Sequence, residues 1–152
     1  MVAPVIAEPR TGFFAMQVAL QTTRPHEFVD LTDQVTDAVR QSGFTAGFAV
    51  VTSQHTTASV VVNEHEPELL KDLDLFLDSI APEQGEYAHN RVPCSPGEMP
   101  NGHAHCQALL LSTSATIPVV NGNPVIGRWQ RVFLVELDHA RPRRVTISVM
   151  GF

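Results

Sequence analysis

Residues 47–80 read GFAVVTSQHTTASVVVNEHEPELLKDLDLFLDSI, and this stretch decides the fold. Gly47-Phe48-Ala49-Val50-Val51 is apolar and β-branched, as a buried strand requires, and Ser59 to Val62 repeats that character. From Pro67 to Ile80 the period changes to 3.6. Leu69, Leu70, Leu73, Phe76, Leu77 and Ile80 share one helical face, while Glu68, Lys71, Asp72, Asp74 and Asp78 share the other. Pro67 suits the first helical position, where no N–H is needed. Burying six such side chains contributes on the order of 1.5–3 kcal/mol each, so this helix is expected to anchor the core. Between the two strands lies the polar group His55-Thr56-Thr57, and Asn63-Glu64 stands where the second strand ends. Polar groups held at the ends of rigid apolar elements are where sites are usually built.

Working outward, Phe14 to Leu20 alternates, with Phe14, Met16, Val18 and Leu20 on one face of a half-buried strand. A helix is expected over Leu31 to Gln41, capped by Asp30 or Thr32, burying Leu31, Val35, Ala38 and Val39, and stopped by Ser42-Gly43. Phe44 to Val51 is the next strand. After Ala81-Pro82 the pattern disappears until Gly102, a long loop of the kind that often carries function. His103 to Leu111 reads as a short helix with Ala104, Ala108 and Leu111 inward, capped by Asn101 only if it begins at once. Strands follow at Ala115 to Val120, Arg131 to Leu137 and Arg144 to Met150, with a strong turn at Asn121-Gly122-Asn123-Pro124. So many hairpins and so few crossovers exclude a doubly wound fold. The expected class is α+β: one domain over residues 1–152, mostly antiparallel sheets, two long helices and one short helix, with residues 1–11 a flexible lead-in.

Composition narrows the function classes. A formal net charge of -6 argues against broad phosphate neutralisation, hence against nucleic acid. Arg141, Arg143 and Arg144 form the single compact basic cluster, read as a solvated strand start, with an anion contact as the alternative. No window approaches the roughly 18 apolar residues of a membrane helix, and the N-terminus lacks the basic and apolar regions of a signal peptide. The expected compartment is cytoplasmic, with Cys94 and Cys106 as unpaired thiols and Cys106 packed in the core. Charged residues at only 17% hint that other subunits cover some surface.

Seven histidines supply the candidate chemistry. His55, His89, His103 and His105 lie at or near element ends. Imidazoles from separate loops suit Zn, Ni or Fe with one position open to water or substrate; separately solvated or hydrogen-bonded histidines are the plainer reading of the residues alone. Glu64 can orient a ligating imidazole or act as a general base; helix N-terminal charge complementarity is the plainer reading. Thr56 and Thr57 can bind a phosphate or satisfy a turn. Trp129 suits a pocket wall, a subunit contact or the core.

Four stretches taken together, His55-Thr56-Thr57-Ala58 to Asn63-Glu64, Tyr87-Ala88-His89-Asn90, Asn101-Gly102-His103-Ala104-His105, and Asn121-Gly122 through Gly127-Arg128-Trp129-Gln130, resemble the small YjbQ-like family. To this family a secondary thiamine-phosphate synthase activity has been attributed. The resemblance implies an α+β homotrimer with polar pockets near subunit contacts. It matches His55, His89 and His105 to a metal or anion site, while His103 falls where members vary. Glu64, Asn63 and Asn101 match the family's other polar positions, and Trp129-Gln130 its aromatic-polar pair. Glu64 and His89 are the catalytic candidates, and Thr56, Thr57, Asn63, Asn101, Trp129 and Gln130 the candidates for contact with a small anionic or phosphorylated ligand. The implied cofactor is a divalent metal, Zn foremost, with Ni, Fe and Mg as alternatives. A metal-dependent hydrolase or lyase, or a non-catalytic metal or anion binder, stands beside the synthase reading. Arg128 and Asn90 depart from the family's usual Thr and Asp.

Overall fold

The computed structural model describes residues 11–93 and 95–152, so the lead-in before residue 11 and the reading of Cys94 lie outside the described residues. In chain order the elements are β1 (Gly12–Gln21), β2 (Phe28–Asp30), α1 (Thr32–Ser42), β3 (Ala46–Ser53), β4 (Ala58–Glu64), α2 (Pro67–Ile80), a 3-10 turn (Ala88–Arg91), α3 (Gly102–Leu110), β5 (Ser114–Val120), β6 (Asn123–Pro124), β7 (Gln130–Glu136) and β8 (Pro142–Gly151). One sheet has the order β1-β8-β3-β5-β6 and the other β2-β7-β4. Every pairing is antiparallel. The class is α+β. Three-residue β2 and two-residue β6 are too short to carry a period, and neither is visible in the sequence.

Alternation explains the layers. Phe14, Met16, Val18 and Leu20 of β1 turn inward with Val145, Ile147 and Val149 of β8 and Ala49 and Val51 of β3. Val60 of β4 and Val132 and Leu134 of β7 meet them from the smaller sheet, together with Leu31, Val35, Ala38 and Val39 at α1. The opposite side of β7 presents Phe133 and Val135, which pack with Leu77 of α2 and Ala104 of α3. β7 is therefore apolar on both faces because it is the middle strand of a covered sheet.

The bounds of α2 match the expected ones, but its burial does not. Only Leu77 is fully buried; Phe76 and Ile80 are exposed, as is Leu75. The helix lies over a three-stranded sheet too narrow to cover its whole apolar stripe. The N-terminal charge belongs to Glu66, not Glu64: the Glu66 carboxylate accepts from Glu68 N at 3.0 Å and Leu69 N at 2.7 Å. These two bonds hold the Glu66 carboxyl below the usual range. α1 starts without a side-chain cap, although Asp30 Oδ1 accepts from Thr32 N at 2.9 Å. Gly43 ends it at φ 70°, where a side chain is disfavoured.

α3 is held against α2 by a buried relay. His26 meets Asp74 through Nδ1, and its Nε2 lies 2.9 Å from Gln107 Oε1. Gln107 Nε2 in turn donates to the carbonyls of Leu77 (3.1 Å) and Ala81 (3.0 Å). That choice of inner face, with His103, Ala104 and Gln107 buried, leaves Cys106 exposed rather than in the core. Ala108 and Leu111 are half-buried. No helix among the described residues is long and apolar enough to cross a membrane.

Candidate functional site

The floor of the site is an ion pair between the two sheets. β7 delivers Glu136 and β8 delivers Arg143, both almost fully buried. Arg143 Nε donates to Glu136 Oε2 at 2.7 Å, and Nη2 reaches Glu136 Oε1. Nη2 also donates to Thr57 O at 3.1 Å and Thr57 Oγ1 at 3.0 Å. Glu136 further accepts from Thr22 Oγ1 (2.7 Å) and Asp138 N (2.9 Å). Burying two charges is costly unless each is paired and hydrogen-bonded, as both are here. The solvated reading of the arginine cluster therefore fails for Arg143, and Thr57 is a buried strut for its guanidinium.

Above this floor lies a pocket of about 420 Å³, lined by His55, Thr56, Thr57, His89, Asn101, His105 and Arg141, with Glu98 as its carboxylate. The expected structureless loop is in fact stapled. Tyr87 donates its hydroxyl to Pro82 O at 2.9 Å, and the 3-10 turn places His89. Asn90 Oδ1 accepts from Gly102 N at 2.8 Å, satisfying a free N–H in the first turn of α3. A Cβ at position 102 would lie 2.5 Å from Tyr87 Cβ, so glycine permits this approach. These contacts bring the His89 and His105 rings to 4.8 Å, edge to face at 77°. Burial, then the neighbouring His89, pushes the His105 imidazole below its ordinary pKa.

His55 follows β3. Its Nε2 accepts the backbone N–H of Arg144 at 2.8 Å. Burial and then the Arg143 charge push its pKa down, partly offset by Glu136, so the ring is neutral at pH 7. Asn101 occupies the N-cap position of α3 without capping it; its Nδ2 instead donates to buried Asp138 Oδ2 at 2.7 Å. Arg141 Nη1 stands 3.3 Å from the same oxygen. Burial would raise the Asp138 carboxyl. The bonds from Asn101 and His139 N, with the Arg141 charge, outweigh burial and hold it below the usual range.

The structure brings together His55, Thr56, Thr57, His89, Asn101 and His105. It does not bring Asn63, Glu64, Trp129 or Gln130 to them. Ala58 pairs with Glu136 beside the pocket, whereas Glu64 pairs with Gln130 at the far end of β4. Six residues of strand put that end about 20 Å away. There Gln130 Oε1 accepts from Gly127 N at 2.8 Å, and Trp129 is 62% exposed with the Arg128 guanidinium 4.8 Å from its ring centre. The sequence reading missed Asp138 and Glu98 as site components and had Arg141 only in its alternative reading, as an anion contact. The basic run that begins three residues after Asp138 was the signal available for that carboxylate.

As a metal centre, the donor set fits in part. The rings of exposed His89 and half-buried His105 meet edge to face, whereas His55 Nε2 is already engaged. Among the described residues no group of three His, Cys, Asp or Glu has the geometry to hold an ion.

The family model described as UPF0047 protein YjbQ-like matches residues 16–152. A UPF0047 protein of Methanothermobacter thermautotrophicus is 36% identical over 138 residues, covering 91% of this chain and 92% of the relative. A UPF0047 protein of Archaeoglobus fulgidus is 35% identical, covering 89% of this chain and all of the relative. Among solved structures, a protein of unknown function from Sulfolobus solfataricus P2, described as YbjQ-like, superposes with a TM-score of 0.88 at 33% identity, covering 94% of this chain and all of that one. A hypothetical protein from Aeropyrum pernix K1 gives 0.83 at 34%, over 91% of this chain and 98% of its own. With the fold, the sequence match and the shared length in agreement, the chain belongs to the YjbQ-like UPF0047 family.

Proposed function

We propose that the pocket binds and transforms a small phosphorylated metabolite. The observation that carries this reading is the convergence of Arg141, Asn101 and three imidazoles on one cavity of about 420 Å³, a size typical of small-molecule sites. Arg141 supplies the cation that an anionic leaving group needs. His89 and His105 are the residues that would hold a divalent metal, Zn first by ligand type. Such an ion supplies Lewis acidity and an activated water when bound. His89, exposed at the mouth, is the catalytic candidate of the pair. A synthase that joins a pyrimidine pyrophosphate to a thiazole phosphate, with loss of pyrophosphate, is the specific form implied by family membership. Hydrolysis or elimination of a single phosphorylated metabolite is favoured by the imidazole pair, because synthases of the first kind prefer Mg²⁺ on oxygen ligands.

The second part of the proposal is a homotrimer. Phe13, Met150, Phe48 and Pro118 are in register across four strands, and all four face away from the core. Glu64, Asn63, Trp129 and Gln130 serve a ligand only where another copy brings them to a pocket. The test is an assay of purified protein with thiazole and pyrimidine phosphates, with and without Zn²⁺, against a His89→Ala control. Product above the control supports the synthase form. Release of inorganic phosphate from one substrate alone supports the hydrolase form, and neither result, with no binding by calorimetry, overturns both.

A further inference from the structure

The β3–β8 ladder ends in an unusual way. Ser53 pairs with Val145, Gln54 N donates to Arg144 O at 3.3 Å, and β3 then leaves the sheet. The next donor on β8, Arg144 N, finds no carbonyl and donates to His55 Nε2 at 2.8 Å. The imidazole stands where a strand carbonyl would, as the last acceptor of the ladder.

This bond fixes the tautomer. A ring nitrogen that accepts an N–H carries no proton, so neutral His55 has its proton on Nδ1. A metal on Nε2 would take the lone pair that Arg144 N uses. A metal on Nδ1 would move the proton to Nε2, where it would face the Arg144 N–H donor to donor. Either way a backbone N–H loses its partner. Nδ1 meets no protein acceptor among the described residues, while the residue lines the pocket.

We propose that His55 is not a metal ligand but a fixed hydrogen-bond donor, presenting Nδ1–H to an oxygen of a phosphoryl or carboxylate group in the pocket. The donor role rests on the reading of the pocket as a phosphate-metabolite site; the tautomer does not. His89 and His105 then remain as the imidazole pair for an ion, and His55 selects an oxyanion beside it.

Long-range ¹H–¹⁵N spectra of the histidine rings test this, with His55 assigned through His55→Gln. The expected result is a protonated Nδ1 and an unprotonated Nε2. Titration with one equivalent of Zn²⁺ should move the His89 and His105 signals and leave the His55 ring nitrogens in place, whereas inorganic phosphate should move His55 Nδ1–H. A proton on Nε2, or Zn²⁺ acting first on His55, overturns the assignment. His55→Gln can still accept from Arg144 N but has no donor at the Nδ1 position, so its phosphate Kd should rise about tenfold. His55→Asn, whose amide nitrogen stands near that position, should recover part of the loss. Equal loss in both variants, with thermal unfolding unchanged, overturns the donor role. Absence of phosphate binding by the wild type overturns the pocket reading and the donor role with it, while the tautomer stands or falls on the ring signals alone.

Discussion

Arg143 and Glu136 show why single side chains here carry effects beyond their own contacts. Each is buried against the other, and Arg143 also holds Thr57 beside the pocket. Glu136→Gln should cost about 3–5 kcal/mol, because a buried guanidinium is left without its counter-charge; denaturant unfolding reads this directly. Replacing both partners by apolar residues of similar volume should cost less than the single change. Asp138 adds a pH dependence. Its folded pKa is lowered, so the stability it contributes is present above the ordinary carboxylate value of 3.8 and is lost as pH falls below it. Asp138→Asn should flatten the acid limb of unfolding free energy against pH; an unchanged slope below pH 4 would remove Asp138 from that account. None of these partners is legible in a linear reading. Asn101 and Asp138 are 37 positions apart, and their pairing depends on where α3 meets the end of β7. The histidines were legible because four of them sit at element ends.

At the scale of elements, local chemistry set what could be read. Pro67 and the 3.6 period gave the bounds of α2, since both are properties of the helix alone. Which part of the stripe is covered depends on the width of a sheet assembled from residues 28–30, 58–64 and 130–136, and the helix pattern does not encode that. Leu77→Ala should therefore cost about 2–5 kcal/mol, whereas Leu75→Ala, an apolar residue of the same helix that is 70% exposed, should fall within about 0.5 kcal/mol. Equal losses in chemical denaturation would contradict the packing. The loop before α3 follows the same logic. Its staples, Tyr87 to Pro82 and Asn90 to Gly102, are side chain to backbone contacts without period, so the segment reads as structureless although it is tied at both ends. Asn90→Ala leaves the Gly102 N–H without that partner and should cost about 1–3 kcal/mol. It should also loosen the His89–His105 pair, seen as weaker Zn²⁺ binding by calorimetry than the stability change alone explains.

At the scale of the whole molecule, the unfinished feature is the outer face of the five-stranded sheet. Its inner face has the full core, yet Phe13 (65% exposed) and Phe48 (53%) lie on either side of Met150 facing outward. The next rows inward, Ala15-Ser148-Val50-Thr116 and Gln17-Thr146-Thr52-Ser114, are small or uncharged. A monomer rarely leaves an apolar row backed by so uncharged a sheet face to water; a trimer would cover it head to tail, with a different patch of the neighbouring copy. The division of family-pattern residues between the pocket and the far end of β4 gives such assembly a further use, since Glu64 and Gln130 reach a pocket only from a neighbour. The proposed trimer predicts that the wild type has three times the chain mass by light scattering at micromolar concentration. Phe48→Glu, which puts a charge in the apolar end row of the face without touching the core, should shift the protein to monomers with near-native circular dichroism. It should also weaken ligand binding if the far-end residues complete the site, while a trimer-independent pocket would keep its affinity. A wild type that is monomeric under these conditions removes the assembly from the proposal and leaves Glu64 and Gln130 as residues of a strand end.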